Sequence, residues 1–527
     1  MAFSVKPSDY KGYKTDRMTF VQADKTIHDQ KFETKPVSYA RGCWRRFRKN
    51  KGSIVAGAIL LFLVSFAIIA PMTTSRDARW SDANYSAVLP KSPWFETGSG
   101  FWDGTENRTI NEREYQKYKF YETEDNPIVS EPVVTTDKDK EGKTVNLYTF
   151  RFNTYAIGAK QFDVSLDEFD MIKQWETKNN RKILLPLIDF EEYCEEYIDE
   201  LIDAGKLLPA QRVNQLGVLT RAYNDVNIYY KLEFLMGAQG KASSQTQPVI
   251  INDSIVPLYA KDTHGDPVYY EIVGNRRTIR VDYNNYYEFK NGEKCFYLFG
   301  SNANGYDLFV RLASGARLSL LLGISVSAIN LIIGLIYGAI AGYYGGTVDL
   351  VMERITDILS AIPFIIMANL FQMHFAGTAG PVWSLLFAFV ATGWIGTAAT
   401  TRMQFYRFKD QEYVLASRTL GAKDMRLIFV DILPNALGTL ITSSVLMIPG
   451  VIFSESSLSY LNIIDLSNSA ITSVGTLLNE GSDISVLKNS PHLLLFPALF
   501  ISLLMICFNL IGNGLRDAFN PTLRGED

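Results

Sequence analysis

The chain has 527 residues, of which 47% are hydrophobic and 20% charged, with a formal net charge of −4 at neutral pH. That length exceeds what one hydrophobic core usually organises, so at least two units of different character are expected. The mild acidity points to no nucleic-acid partner, and the apolar residues are bunched into long uncharged runs between polar stretches, which excludes a uniformly soluble globule.

Residues 1–52 read as a cytoplasmic basic segment, with 13 basic against 5 acidic side chains and a concentration of cations at Arg41, Arg45, Arg46, Arg48, Lys49 and Lys51. Cationic flanks of a membrane span stay in the cytoplasm, and the same side chains can sit on anionic headgroups. Gly52 to Ser75 carries no charge. A bilayer core roughly 30 Å thick needs about 20 apolar helical residues to cross it, so 53–75 is predicted to be the first transmembrane helix. The polar residues ahead of it, and the lack of a small-residue cleavage site after Pro71, favour an anchor over a signal peptide.

Residues 76–305 then fall outside the cytoplasm as a domain of about 230 residues, a common size. It holds 27 basic and 36 acidic residues, a balance compatible with translocation. It reads as α+β. Phe190, Tyr193, Cys194, Tyr197 and Leu201 recur at helical spacing within Leu187 to Leu207, and Pro209 to Met236 has a similar rhythm. Val145 to Ile157 and Val268 to Val281 are rich in β-branched and aromatic residues, as strands are, whereas Thr135 to Lys143 and Gly237 to Pro248 read as loops. The acidic run from Glu191 to Asp203 lacks the alternation of a calcium loop and reads as a solvated helix face. The dense tyrosines, Tyr269, Tyr270, Tyr283, Tyr286 and Tyr287 among them, suit a core more than a docking surface. Cys43, Cys194, Cys295 and Cys507 form no CxxC pair; a bond between Cys194 and Cys295 is conceivable, with free thiols the simpler state.

Residues 306–515 are predicted to form a five-helix core, making six transmembrane helices in all. The expected spans are Leu318 to Val348, Ile355 to Met373, Val382 to Thr401, Ile432 to Phe453 and Leu493 to Ile511. Gly377, Gly380 and Pro381 break the second from the third, and Pro434 and Pro449 should bend or delimit the fourth. Six crossings return the tail, 516–527, to the cytoplasm, and place inside a loop whose Arg402 to Asp431 stretch has 6 basic and 4 acidic residues. Arg311 and Arg317, just ahead of Leu318 to Val348, run against the charge rule. The fold class expected is therefore an α-helical polytopic membrane protein with a large α+β extracytoplasmic domain between helices 1 and 2.

Within loop 402–435, the stretch EYVLASRTLGAKDMRLIFVDILPN from Glu412 to Asn435 is the most informative. Glu412 to Leu420 can form a short helix, Gly421 can turn sharply, and Ala422 keeps the turn slim enough for a groove on another protein. Lys423, Asp424 and Arg426 offer charged contacts at its rim, Ala416 lies on the short helix, and Pro434, followed by Asn435, suits a helix start. This pattern resembles the coupling loop of binding-protein-dependent ABC importers. Leu415, Ser417 and Asp431 depart from the usual glutamate, alanine and frequent histidine of that signature.

Two more stretches resemble oligopeptide and dipeptide permeases of that family. GSNANGYDLFVRLASGARLSL, from Gly300 to Leu320, matches at Gly300, Gly305, Asp307, Arg311, Leu312, Gly315, Arg317 and Ser319, with Asn302 and Tyr306 as departures. NLIGNGLRDAFNP, from Asn509 to Pro521, matches at Gly514, Leu515, Arg516, Asp517 and Pro521. The resemblance covers the first span and everything after Gly300. It implies one permease in a cell-membrane complex of two permease subunits, two cytoplasmic ATPases and an extracytoplasmic substrate-binding lipoprotein. It implies no enzyme activity and no cofactor in this chain, the ATP being used by partners. Relatives have a shorter external segment, so nothing about 76–305 carries over.

No complete GxxxxGK[ST] occurs, since the GKT at Gly142 to Thr144 has Asp137 where the first glycine belongs. His28, His264, His374 and His492 are scattered, which suggests neither a metal site nor a nucleophilic triad. GYYGG, from Gly342 to Gly346, reads as a tight cytoplasmic turn. Two alternatives compete with the importer: an export or signalling ABC membrane subunit, which typically has four spans, and a surface receptor with no ATPase partner.

Overall fold

The computed structural model describes residues 39–519 apart from 75, 96–98, 112–114, 116–117, 119–129, 139–143, 188–194, 196–197, 200–201, 206–207, 213–229, 237–241, 249, 252–253, 256–258 and 465–471. Within the described part of the basic segment lies α1 (Tyr39–Lys49), and the first span is α2 (Lys51–Thr73). Asn50 caps α2 by accepting the Ser53 amide (3.2 Å), while Ser53 donates its hydroxyl to the Leu510 carbonyl (2.9 Å). The first span is thereby pinned to the last.

The inserted stretch contains β1 (Thr105–Asn111), β2 (Val133–Lys138), β3 (Thr144–Asn153), β4 (Ala159–Ser165), α3 (Leu166–Asn179) and β5 (Leu184–Leu185). After these come β6 (Tyr230–Met236), β7 (Ala242–Pro248), β8 (Ile250–Ile251), β9 (Ser254–Ile255), β10 (Tyr270–Val273), β11 (Arg276–Asp282) and α4 (Tyr283–Asn291). One antiparallel sheet has the order β1-β3-β2, a second has β10-β11-β4 with β5 on β11, and β6-β7 and β8-β9 are two-stranded. Phe169 and Ile172 of α3 pack on Val164, Ile279 and Val281 beneath Tyr283, Tyr286 and Tyr287, so these tyrosines are core. Tyr230–Met236, expected as the end of a helix, is a strand, because Tyr230, Leu232 and Phe234 alternate with Lys231 and Glu233 at period two. Its partner β7 lies where a loop was expected, as does β2, whose Val133 to Thr136 are β-branched. Pro209–Gln211 is one 3₁₀ turn. Most of the expected helix Leu187 to Leu207, with Cys194 and most of its acidic run, lies outside the described residues; Cys295 is a free thiol.

The inserted unit is welded to the start of the helical core. Arg76, just past α2, pairs with Asp307 (3.2 Å), donates to the Phe296 carbonyl (2.7 Å) and stacks over Tyr297 (4.6 Å). Asp307 caps α5 (Leu308–Tyr344) by accepting the Phe309 amide (2.9 Å). At 37 residues α5 is about 55 Å long, more than a bilayer core requires. It begins ten residues before the expected span, because Arg311 and Arg317 are part of it: Arg311 is buried and bidentate to Glu480 (2.6 and 2.8 Å), so its charge does not end the helix.

Then come α6 (Gly346–Ser360), α7 (Phe364–Ala379), α8 (Pro381–Phe408), α9 (Glu412–Thr419), α10 (Asp424–Tyr460), α11 (Val474–Ser482), α12 (Ile484–Asn489) and α13 (His492–Phe519). Five described helices, α2, α5, α8, α10 and α13, are long and apolar enough to cross a membrane, and α6 with α7, bent by 74° at their junction, has the length and composition of a broken span or a re-entrant loop. The expected straight span Ile355 to Met373 is thus broken, at Ala361 to Pro363, where proline cannot continue the preceding helix. Gly334, Gly338 and Gly342 of α5 lie against α8. A Cβ at Gly334 would meet the Trp394 carbonyl, one at Gly338 the Ala398 carbonyl, and one at Gly342 the Arg402 carbonyl. Small residues at every fourth position let the two backbones touch.

Candidate functional site

The turn at Gly421 projects from a packed base. Gln411 to Thr419 winds into α9, and the helix closes in a Schellman arrangement: the Ala422 amide reaches the Ser417 carbonyl (3.1 Å) and the Gly421 amide the Arg418 carbonyl (3.0 Å). That closure needs a left-handed residue, and Gly421 has φ +83°. Leu420 is 88% exposed and Met425 67%, so two large apolar side chains flank the turn in the open. Beneath them Val414, Leu427, Ile428 and Ile432 are buried with Ala339 of α5 and Phe405 of α8, and Ala422 and Leu433 pack at the edge.

Polar contacts hold this base to the helices above it. Tyr343 of α5 donates its hydroxyl to Asp424 (2.6 Å), and Asn435 donates to the Tyr413 hydroxyl (3.2 Å) and the Asp431 carbonyl (3.0 Å). Nearby, Arg402 of α8 forms a fork on Asp349 of α6 (2.6 Å for one arm) and reaches Glu353 (3.2 Å), while Tyr406 also donates to Asp349 (2.7 Å). A bidentate Arg–carboxylate pair fixes orientation as well as distance. The chain GYYGG therefore ends α5 and opens α6 beside this charge cluster.

Sequence reading placed Glu412, Ala416, Gly421, Ala422, Lys423, Asp424, Arg426, Pro434 and Asn435 on one loop, and the structure brings all of them to this projection. Glu412, Ala416, Lys423, Asp424, Arg426, Pro434 and Asn435 are exposed and Ala422 is half-buried. Pro434 stands in the first turn of the α-helical stretch Leu433–Tyr460, as expected of a helix start. It lies within α10, where Leu427–Ile432 widens to a π turn that accommodates the missing amide and the ring. The turn and the long helix after it are thus joined without a non-helical residue between them.

Tyr343, Arg402 and Asp349 escaped sequence reading, since each lies tens of residues from its partner and no local spacing marks it. So did Glu455, a buried carboxyl on α10 that accepts from Ser319 (2.8 Å), Ser459 (3.1 Å) and Ser456 (3.3 Å). A carboxyl inside a lipid-soluble span was a visible signal.

A family model described as the binding-protein-dependent transport system inner membrane component matches residues 298–525, and one described as the N-terminal TM domain of oligopeptide transport permease C matches 38–89. The oligopeptide transport system permease protein OppC of Bacillus subtilis (strain 168) is 42% identical over 226 residues, 43% of this chain and 72% of that protein. The dipeptide transport system permease protein DppC of the same organism is 40% identical, over 43% of this chain and 69% of that protein. OppC of Escherichia coli (strain K12) is 36% identical, over 42% and 72%. A solved inward-facing structure of the MetNI methionine ABC transporter overlaps 39% of this chain and 96% of its own at 16% identity, with a TM-score of 0.29, too low to argue from. The matched family stretches leave out residues 90–297.

Proposed function

The chain belongs to the family of binding-protein-dependent transport permeases that includes OppC and DppC, and on that premise we propose that it is one of two permease subunits of a peptide importer powered by two cytoplasmic ATPases. It is a permease of the ABC importer kind, multi-pass in the cell membrane, and belongs to a transport family rather than an enzyme family. In this reading the chain binds no cofactor, and ATP is used by its partners. Both termini are cytoplasmic, 76–305 is extracytoplasmic, and a substrate-binding lipoprotein delivers peptide from that side.

The observation that carries the reading is the turn itself: Leu420 and Met425 stand in the open around Gly421, on a base locked to α5 and α8. Such a knob suits a groove on an ATPase, where its apolar side chains would be covered. Closure of the ATPases around ATP would move α9 and the start of α10. Because α10 is continuous and Tyr343 and Phe405 tie the same base to two further spans, the motion would tilt all three from inward-facing to outward-facing. Export or signalling subunits and surface receptors are not favoured by the family membership.

Purification of the tagged chain from its native membrane in mild detergent tests this. ATPase subunits should accompany the wild type and be lost with Gly421→Trp, whose bulk cannot enter the groove. A chain that comes out alone in both cases would overturn the coupling assignment.

A further inference from the structure

Ser92–Phe95 and Ser99–Trp102 are held side by side by hydrogen bonds. Ser92 donates its amide to the Trp102 carbonyl (2.8 Å), the Trp94 amide reaches the Ser92 hydroxyl (3.2 Å), and the Gly100 amide reaches Asp103 (2.8 Å). Trp102 holds φ +53°, a conformation that costs a non-glycine residue energy and persists only where neighbours impose it. Here its indole N–H donates to the Leu298 carbonyl. Trp94 is 81% exposed, Phe101 62% and Phe95 41%, and the Phe95 and Phe101 rings meet edge-on at 5.5 Å. Three large rings left in the open are a costly arrangement in water.

Their height relative to the spans says what covers them. Trp102 lies 5.9 Å from Phe496 in the second turn of α13, Phe496 stacks on Phe299 at 4.1 Å, and Phe299 lies 6.2 Å from Phe66 of α2. Phe66 is seven residues inside the end of α2, about 10 Å down its axis. Trp102, with the Phe101 ring edge-on against it at 5.7 Å, therefore lies beside the ends of two membrane spans, and Leu495 and Leu499 of α13 are also exposed. Tryptophan collects at the boundary between headgroups and acyl chains, where its indole N–H meets the polar side and apolar rings beside it meet the acyl side.

We propose that Trp94, Phe95 and Phe101 form an interfacial wedge, immersed at the headgroup boundary of the bilayer, that seats the inserted unit on the membrane. The wedge requires only that α2 and α13 are spans; it holds whichever face the unit occupies and does not depend on the ATPase contact. The test is fluorescence of the full chain reconstituted in phosphatidylcholine–phosphatidylglycerol vesicles, with Trp94 isolated as the difference between wild type and Trp94→Phe. Phosphatidylcholine brominated high in its acyl chains should remove roughly half of that difference emission, and deep bromine less, as befits an interfacial ring. Aqueous iodide should hardly touch it. A second variant, Phe101→Ser, should open Trp94 to iodide while leaving ATPase copurification unchanged. Trp94 emission open to iodide and blind to bromine overturns the proposal, as does protection from both quenchers, which would assign the rings to a protein partner.

Discussion

Gly421 separates two effects that a single substitution would confuse. Nothing lies within 4 Å of where its Cβ would stand, so alanine fits in space and suffers only the left-handed backbone, about 1 kcal/mol. Gly421→Ala should therefore still recover ATPase subunits where Gly421→Trp does not; equal loss from both would move the role of Gly421 from slimness to backbone shape. Glu455 makes the opposite case. Glu455→Ala leaves the hydroxyls of Ser319, Ser456 and Ser459 without their shared acceptor in a buried site, and should cost about 3 kcal/mol, read as a lower melting midpoint in detergent. Glu455→Gln keeps an acceptor and should retain most of the stability. For Cys295, burial pushes the thiol up to about 12. Since the thiolate is the nucleophile, maleimide should label Cys295 far more slowly in the folded chain at neutral pH than after denaturation, and folded-state labelling should quicken as pH rises. Labelling at one rate in both states would contradict that burial. At this scale the sequence disclosed Gly421 because a helix-ending glycine has a local signature. It could not disclose Tyr343 as the partner of Asp424, because that contact is made by packing across 81 residues.

Elements were legible where length and polarity alone decide them. Long uncharged runs marked the membrane helices, and Gly380 with Pro381 marked the break before α8. The ends differ wherever a charge is satisfied by protein: Arg311 and Arg317 stand ahead of the span expected from Leu318, but both lie inside α5, and Glu480, 169 positions away, accepts from Arg311. The fracture between α6 and α7 has only Pro363 as its sign in the sequence; at the 74° bend Phe364 packs on Phe389 of α8 at 4.7 Å, a contact no local pattern marks. The α5–α8 contact allows an element-level test. Gly338→Leu would drive a side chain into the Ala398 backbone and should separate the two helices, giving little monodisperse protein in detergent. Gly396→Ala, on a helix position with open space, should be neutral or stabilising by up to about 1 kcal/mol. If both variants purify alike, the glycine stripe is not what sets the distance between α5 and α8.

The whole molecule joins a family transporter core to a unit its relatives' matched regions do not contain, and the join is unusually tight. Arg76 and Asp307 pair at the seam, and the Lys91 amide donates to the Tyr297 carbonyl (2.8 Å), so the chain enters and leaves the unit at adjacent points. Sequence alone could size this unit but not see that its two ends meet, since strand pairing and register are set by contacts far apart in the chain. That meeting permits a clean excision: residues 92–294 can be replaced by a short glycine linker while Arg76, Cys295, Tyr297 and Asp307 stay in place. The coupling turn is built entirely from α5, α8, α9 and α10, so ATPase copurification should survive the excision. If the unit braces or docks the binding lipoprotein, uptake of labelled peptide by vesicles holding the full set of partners should fall by about tenfold, the loss of roughly 1.4 kcal/mol of docking free energy. Uptake at the full rate with ATPase retained would leave the unit without a part in delivery, because the excision spares every contact that ties the spans to the coupling turn.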